Sequence, residues 1–487
     1  MMERVEVLPK LNDETCNSTT VASYSSFISD DDSVSCVIYK MNSTDSNEPN
    51  GFTIGIKGLE DGSSIKLYKK RFFILTLFCL YSASNAFQWL QYSIITGKIS
   101  TFYQIDDLSV NLTSMIYMFV FVPGMIPASW FLDRFGLRWS VLLGSTGTFL
   151  GSLIKCASLN PNRFWLTMIG QTVVAICNLF VLNLPPRLAA VWFGEREVST
   201  ATSIGVFGNQ LGVCFGFFLP PLIVTASTTN GIAQQLSYVY YGLAIFTGLL
   251  LIFICLFFED KPKKCPSNSA ARANVYQEDL NFLQSVKTLI TDLDMILLTL
   301  SYGINVGVFY AISTVLDQMI SSAFPGQESA AGNIGAVITV VGTLGSMVSG
   351  YILDKTHRYK ETVFSLYLFS LIGLIGFTIS LKYSLVLVFI VSALLGFFMT
   401  GYLPIGFEYA AEITYPQPEG NSAGILNASA QFFGIILIFL STLTVNKFGH
   451  TVCNVMFCLS LLIGLILTAF TSGSLKRREA TLKNSTI

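Results

Sequence analysis

A charged stretch between two apolar segments decides the fold of this chain: SWFLDRFGLR, at Ser129–Arg138. A similar stretch, GYILDKTHR, returns at Gly350–Arg358, so that Asp133 and Asp354 are 221 positions apart. The same offset relates Ala189-Ala190 to Ala410-Ala411 and Gln210 to Gln431. The chain therefore contains two copies of one module, each with a short charged elbow between two apolar helices.

The composition indicates that lipid is the main solvent of the chain. Of its 487 residues, 52% are hydrophobic and only 12% are charged, and the mean hydropathy is +0.58. Soluble proteins carry about 25% charged residues. The net charge of −1 gives no indication of a nucleic-acid partner.

Twelve apolar segments are long enough to cross a bilayer, which takes roughly 20 residues each. They are 72–96, 114–132, 139–158, 164–193, 199–224, 236–258, 295–322, 334–353, 361–381, 385–414, 421–445 and 454–473. Two parallel six-helix halves are the build of a major-facilitator transporter. The sequence thus predicts an all-α membrane protein of that fold, with twelve transmembrane helices in two pseudo-symmetric halves.

The predicted domains follow from these segments. They are a disordered tail (1–65), a six-helix bundle (66–258), a linker (259–294), a second six-helix bundle (295–473) and a short tail (474–487). Basic residues are concentrated in the loops of one side, so the positive-inside rule predicts that both termini are cytoplasmic. The opposite loops are expected to carry only Lys98, Lys155, Arg163, Lys382 and Lys447. Asn111, in an Asn-Leu-Thr sequon of an outside loop, is a weak candidate for glycosylation.

The two elbows are predicted to form an inner gate. A carboxylate at the end of a helix can pair with a basic group and interact with the N-terminus of a neighbouring helix, and such bonds can break when the halves move. The alternative is a solvated turn that only anchors the topology. The residues concerned are Asp133, Arg134 and Arg138 in the first elbow, and Asp354, Lys355 and Arg358 in the second.

Neutral polar residues inside the apolar segments are candidates for a binding site, because polar groups are costly in lipid. They include Asn178, Asn209, Gln210 and Gln431. Each could instead form a hydrogen bond between helices. Trp89 and Tyr310 lie in the middle of the first and seventh segments, which face each other across such a pore. Together they predict an aromatic cage for a quaternary ammonium, although a single Trp at that depth would more often be packing.

Other classes of site find little support in the sequence. Ionisable groups at bilayer depth are few, which favours facilitated diffusion over proton coupling. The ten cysteines show no metal-binding spacing, and no nucleotide-binding or hydrolase motif is present. We therefore expect no enzymatic activity, no metal and no cofactor.

Several long runs of residues resemble the feline leukemia virus subgroup C receptor-related family. They include Asn178–Pro220, with Gly208-Asn209-Gln210-Leu211-Gly212, and Gly396–Pro404, and the similarity extends from about Arg71 to Ser472. The resemblance implies a twelve-helix facilitator for choline and ethanolamine, historically linked to heme. It also implies that Trp89 and Tyr310 form the choline cage, and that Gln431 and Asn209-Gln210 line the site.

Two positions depart from the family pattern. Asn178 stands where the family usually carries Gln, so cavity size or head-group preference could differ. Asp317 stands where a neutral amide is expected and could attract cations at the outer mouth. Neither departure affects the assignment to the family.

The leading hypothesis is a facilitative uniporter of choline-like organic cations, acting as a monomer in a lipid bilayer. The plasma membrane is the predicted location, with mitochondrial or endoplasmic reticulum membranes as alternatives. A heme exporter or importer is the second hypothesis, but heme propionates call for basic groups and its iron for a ligand such as His. The third is a membrane receptor that has lost transport.

Overall fold

The computed structural model describes residues 23–26, 37–42, 52–57, 67–194, 197–262, 282–415, 417, 419–472 and 476. From residue 67 onward these residues are almost entirely helical. The helices are α1 Lys70–Leu90, α2 Thr96–Tyr103, α3 Asp107–Cys156, α4 Phe164–Trp192, α5 Val198–Ile223, α6 Thr229–Phe257, α7 Phe282–Thr291, α8 Leu293–Ala323, α9 Glu328–Thr356, α10 Tyr359–Ser380, α11 Leu385–Ile413, α12 Glu419–Phe448 and α13 His450–Ala469.

The first 66 residues form a separate unit with a small antiparallel sheet. Its strands are β1 Ser23–Ser26, β2 Val37–Asn42 and β3 Phe52–Lys57, in that order. These segments lie within the predicted tail 1–65, whose disorder stays a prediction. The sequence of β3 alternates large apolar residues with Thr53, Gly55 and Lys57, which is the period of a strand. The polar composition of the tail as a whole concealed this short pattern.

The membrane segments agree with the predicted fold. Eleven helical stretches within the described residues are long and apolar enough to cross a membrane. The remaining predicted segment, 139–158, forms the second part of α3. This 50-residue helix turns at Gly136, where φ is 81°. Ser and Thr side chains, together with Lys155, lower the apolar content of this part. The all-α major-facilitator architecture is thereby confirmed.

The helices form two halves, and among the described residues the buried core that they share lies toward one end. We call the end that carries Lys70, Arg138 and Lys355 the basic face, and the other end the opposite face. One core runs through the second half and into the first half at the opposite face, where it includes Ile95 and Phe217. The first half has a separate core nearer the basic face. In this conformation the halves are therefore packed together at the opposite face.

Small residues bring the site-bearing helices close to their neighbours. Gly208, Gly212 and Gly216, at four-residue spacing on α5, lie against the α1 backbone, and a Cβ on Gly212 would overlap the backbone oxygen of Ala83. In the second half, Gly307 of α8 lies against α12, where a Cβ would come within 2.9 Å of the Phe433 backbone. Such contacts are typical of helix packing in membranes. They fix the heights of α1 and α8, which carry Trp89 and Tyr310.

Ion pairs fix the start of the same two helices within their own halves. Arg71 of α1 lies 2.7 Å from Glu197, just before α5. Asp292, which caps α8 by accepting from Asp294 N at 3.0 Å, lies 2.8 Å from Lys476. Arg71 and Asp292 are also 221 positions apart. The predicted linker 259–294 thus ends in structured residues, including α7 and this cap.

Candidate functional site

Trp89 and Tyr310 meet where the two halves face each other. Trp89 lies in the last turn of α1 and Tyr310 lies in the middle of α8, and both are half-buried. The ring centroids are 5.2 Å apart and the ring planes make an angle of 82°, an edge-to-face contact. The residues are 221 positions apart, the same offset as the elbows. The two modules therefore contribute equivalent positions to one aromatic pair.

Residues of α12 and α3 lie on the other side of Tyr310. The side chain of Gln431, which is only 6% exposed, lies near the Tyr310 hydroxyl. One turn further along α12, a Cβ on Gly434 would lie 3.2 Å from the Tyr310 ring and 2.9 Å from the sulfur of Met118. The structure thus brings together an indole, a phenol, an amide and a thioether. Aromatic faces and a thioether suit an alkylammonium group, and the amide suits a hydroxyl or amine.

A buried polar cluster supports Trp89 from behind. The neighbouring Gln88 is fully buried, and its side-chain oxygen accepts from the Lys155 ammonium at 2.8 Å and from Ser152 at 3.4 Å. Its backbone oxygen accepts from the Gln171 amide at 2.6 Å. The Lys155 nitrogen also lies 5.7 Å from the centroid of the Tyr92 ring. This network holds the end of α1 that carries Trp89.

Lys155 corrects a prediction from the sequence. It was expected in a loop on the outer side, but it lies in α3 and is only 1% exposed. Its position near the end of an apolar segment gave no sign of burial, since its partner Gln88 is 67 positions away. The argument from the sequence against an anion such as heme was that no basic group lies inside the membrane segments. Lys155 is a buried basic group beside Gln88 and weakens that argument.

The remaining predicted site residues lie closer to the basic face. The Tyr81 hydroxyl donates to Cys177 O at 3.1 Å, which sets the height of Asn178 on α4. The contact of Gly212 with Ala83 sets the height of Asn209 and Gln210 on α5. Tyr81 and Ala83 precede Trp89 by eight and six residues, or about 9–12 Å along the helix. Asn178, Asn209 and Gln210 are half-buried at that level, below the aromatic pair.

Hydrogen bonds between the halves lie above the aromatic pair, toward the opposite face. Ser114 of α3 and Thr314 of α8 are 3.4 Å apart, about one turn above Tyr310. Nearer the opposite face, Asn111 donates to Thr442 of α12 at 2.9 Å. The backbone N–H of Gly97 donates to Asp317 at 3.4 Å. These bonds, with the shared core, close the route from the opposite face to the aromatic pair.

Asn111 is therefore unsuited to carry a glycan. It lies inside α3, has no exposed surface and donates to the other half. The prediction of a weak glycosylation site needs this correction. The sequon was assigned to an outside loop because the predicted segment began at residue 114. The helix α3 begins seven residues earlier, at Asp107, and so includes Asn111.

The first elbow is organised by a carboxylate that the sequence analysis did not select. Asp260, after α6, accepts from the backbone N–H of Arg138 at 3.0 Å. The Arg138 guanidinium donates to Cys255 O at 3.4 Å, and Arg134 stacks on Trp130 at 5.3 Å. Arg134 and Arg138 are exposed. The negative charge of Asp260 at the N-terminus of the second part of α3 stabilises that part of the helix.

The second elbow turns at the equivalent position, but through a different backbone conformation. His357, 221 positions after Gly136, also has a positive φ, of 53°. Lys355 and Arg358 are exposed beside it. The side chains of Asp133 and Asp354 lie outside the described part of the structure, so the predicted gating bonds of these two residues stay a prediction.

Comparison with known proteins gives the family. The model of the Major Facilitator Superfamily matches residues 74–437 and 298–486. The chain is 44% identical over 422 residues to the choline/ethanolamine transporter flvcr2a of Danio rerio, covering 86% of this chain and 90% of the relative. It is 40% identical over 433 residues to the choline/ethanolamine transporter FLVCR2 of Homo sapiens, covering 88% and 82%. The chain belongs to the feline leukemia virus subgroup C receptor-related family of the Major Facilitator Superfamily.

A similar protein is found outside the vertebrates. An uncharacterised transporter of the superfamily from Caenorhabditis elegans is 48% identical over 419 residues, covering 85% of this chain and 71% of the relative. The resemblance inferred from the sequence is therefore confirmed over most of the chain.

Solved structures of other transporters share the fold of this chain. A bacterial homologue of the human lysosomal transporter Spinster, in an inward-facing and unoccupied conformation, superposes with a TM-score of 0.64 at 14% identity, covering 83% of this chain and 95% of that one. The nucleoside transporter NupG gives a TM-score of 0.62 at 12% identity, covering 82% and 100%. At such low identity the likeness concerns the fold alone.

Proposed function

We propose that this protein is a facilitative transporter of choline and ethanolamine. The observation that carries the proposal is the meeting of Trp89 and Tyr310, with Gln431 beside them, at equivalent positions of the two halves. The relatives named as choline/ethanolamine transporters support the same substrate class. In this proposal the ammonium lies against the aromatic faces, and the hydroxyl of the substrate meets Gln431.

Substrate binding requires the aromatic pair to open. A cation lies within about 6 Å of the centroid of each ring that it contacts. A trimethylammonium group held between two ring faces therefore needs a centroid separation of roughly 9–12 Å, against the 5.2 Å found here. The rings fill the space between them in this conformation. Entry of the substrate is thus coupled to a movement of α1 relative to α8, and hence of the two halves.

Transport then proceeds by alternating access. The halves separate at the opposite face, breaking the bonds Asn111–Thr442, Ser114–Thr314 and Gly97–Asp317, and they close at the basic face, where Asp133 and Asp354 act as gate residues. Asn178, Asn209 and Gln210 line the path from the aromatic pair to the basic face. The basic face is cytoplasmic, the protein lies in the plasma membrane as a monomer, and the substrate gradient or membrane potential drives net flux.

The neutral character of the site favours a cation over heme. The groups that meet at the aromatic pair are uncharged, and His357 and His450 lie at the two ends of the bundle, outside this site. Lys155 is turned to Gln88 and Tyr92. An organic cation gains from the aromatic faces, whereas a dianion would have no basic partner among these groups.

Uptake of labelled choline by cells that express the protein tests the proposal. We expect Trp89→Ala to abolish saturable uptake, because the main cation–π surface is lost. Trp165→Ala is the matched control, since Trp165 is 59% exposed at the start of α4, and we expect it to transport normally. Unaltered uptake by Trp89→Ala at equal surface expression would exclude the aromatic site.

A further inference from the structure

A cavity of about 710 Å³ opens between the halves at the opposite face. Its lining includes Lys98, Asp107, Asp317, Gln318 and Asn446. Ligand cavities in proteins commonly measure about 300–1,000 Å³. We call this cavity the vestibule. It is distinct from the aromatic pair, because Asp317 follows Tyr310 by seven residues of α8, or about 10 Å, and the Ser114–Thr314 contact lies between them.

Asp317 gives the vestibule a carboxylate at its inner end. The residue is only 5% exposed, and it accepts from the Gly97 N–H and from the Ser321 hydroxyl at 3.4 Å each. Both distances are at the long, weak end of hydrogen bonding. Because a positively charged donor binds a carboxylate more strongly than a neutral donor does, this carboxylate suits a cation.

Gln318 adds a polar group whose hydrogen bonds are not provided by the described protein residues. It is 8% exposed, and neither its amide nitrogen nor its oxygen has a hydrogen-bond partner within the described part of the chain. Buried amides are normally paired, and those that are not call for an explanation. Both amide atoms are shielded in this conformation, so a ligand with a hydroxyl or amine reaches this amide as the vestibule widens.

The charges of the vestibule select the sign of such a ligand. Asp107 and Asp317 supply two carboxylates and Lys98 supplies one ammonium, which leaves a formal charge of −1. A cleft lined with net negative charge concentrates cations. The Lys98 ammonium shows in addition that a primary ammonium group is accommodated among these side chains.

We propose that the vestibule is an outer recognition site for small organic ammonium ions. The ammonium binds to the Asp317 carboxylate and the polar end binds to the Gln318 amide. Because the Asp317 carboxylate also accepts the Gly97 N–H from the other half, the bound ammonium competes with that N–H and weakens a bond that keeps the opposite face closed. The vestibule thus couples arrival of the substrate to opening. This step rests on the proposed transport of organic cations.

Binding of labelled choline and labelled tetramethylammonium to the purified full-length protein tests the vestibule. Trp89→Ala removes the inner site, and we expect weak but saturable binding of both probes to remain. Adding Asp317→Asn should lower that remaining affinity at least fivefold. Asp106→Asn removes the same charge from the same face, outside the lining of the cavity, and should leave it unchanged. Trp89→Phe replaces Trp89→Ala if the latter does not fold.

Uptake kinetics provide the second measurement. In the otherwise native chain, Asp317→Asn should raise KM for choline at least threefold with Vmax within twofold, and Gln318→Leu should raise KM for choline but not for tetramethylammonium. Loss of all binding in both Trp89 variants, or unchanged binding and KM in Asp317→Asn, would overturn the vestibule site. Failure of the native protein to take up choline would instead refute the proposed function, and Asp317-dependent binding of tetramethylammonium would still support the vestibule.

Discussion

At the scale of single residues, Gly434 determines how closely Tyr310 approaches α12. A Cβ at this position would lie 2.9 Å from the Met118 sulfur and 3.2 Å from the Tyr310 ring. The flexible end of Met118 can move, but the ring is held between Trp89 and Gln431. We therefore expect Gly434→Ala to shift the ring by a few tenths of an ångström and to raise KM for choline about two- to tenfold, equivalent to about 0.4–1.4 kcal/mol.

Gly420→Ala is the control for this substitution. Gly420 lies on the same helix and is exposed, and a Cβ there would have no neighbour within 4 Å. Labelled choline uptake at several concentrations should give an unchanged KM for Gly420→Ala. Equal KM values for the two variants would mean that the position of the Tyr310 ring does not govern binding.

The sequence predicted some of the site residues and concealed others. Trp89, Tyr310 and Gln431 could be selected because each stands out against an apolar segment and the repeat pairs their helices. Lys155 and Asn111 could not be interpreted in this way, since their burial depends on Gln88 and Thr442, far away in the sequence. Asn178, like Gln431, is a neutral amide within an apolar segment. Only the contact between Tyr81 and α4 shows that Asn178 lies closer to the basic face than the aromatic pair does.

At the scale of secondary-structure elements, the two elbows turn at equivalent positions. Both residues have a positive φ, but ψ is −177° at Gly136 and 25° at His357, so the backbone conformations differ. Gly136 has φ 81°, and a Cβ there would lie 2.6 Å from the Asp260 carboxylate. His357 has φ 53° at the equivalent position, where a side chain is tolerated at a cost of roughly 1–2 kcal/mol. The first elbow therefore has a conformation that is essentially restricted to glycine, whereas the second has a left-handed helical residue that carries moderate strain.

Opposite effects on stability follow for the two elbows. Gly136→Ala should lower the free energy of unfolding by about 1–3 kcal/mol, from backbone strain and from displacement of Asp260. His357→Gly should be neutral or stabilising, by up to about 1 kcal/mol. Thermal unfolding of the purified variants in detergent measures both. A destabilised His357→Gly variant beside an unchanged Gly136→Ala variant would contradict the roles given to these two residues.

The lengths of the elements could be predicted only where a polar residue ends an apolar run. The segments 295–322 and 385–414 agree closely with α8 and α11, which are bounded by such residues. α1 was expected to continue to residue 96, but it ends at Leu90 and α2 follows. The tight turn after Trp89 contains the polar residues Gln91 and Ser93. Both are buried, so hydropathy alone gave no boundary there.

At the scale of the whole molecule, the repeat predicted two halves but not the face at which they meet. That face is determined by contacts between residues from different halves, such as Asn111 with Thr442, whose partners are 331 positions apart. Each half also fixes its own first helix at the basic face, through Arg71–Glu197 and Asp292–Lys476. Each half can therefore move as a unit while the contacts at the opposite face break.

A disulfide between the halves tests whether these contacts must break during transport. The Asn111 amide nitrogen lies 2.9 Å from the Thr442 hydroxyl and both residues are fully buried, so Asn111→Cys and Thr442→Cys place two thiols opposite each other across this contact. Oxidation by copper phenanthroline should join α3 to α12 and reduce choline uptake to background, and dithiothreitol should restore it. Each single-cysteine variant controls for the natural cysteines and should keep its uptake under oxidation. If mass spectrometry shows the 111–442 disulfide in nearly all molecules while uptake continues at the rate of the single variants, the halves do not separate at this face, and alternating access through it is excluded.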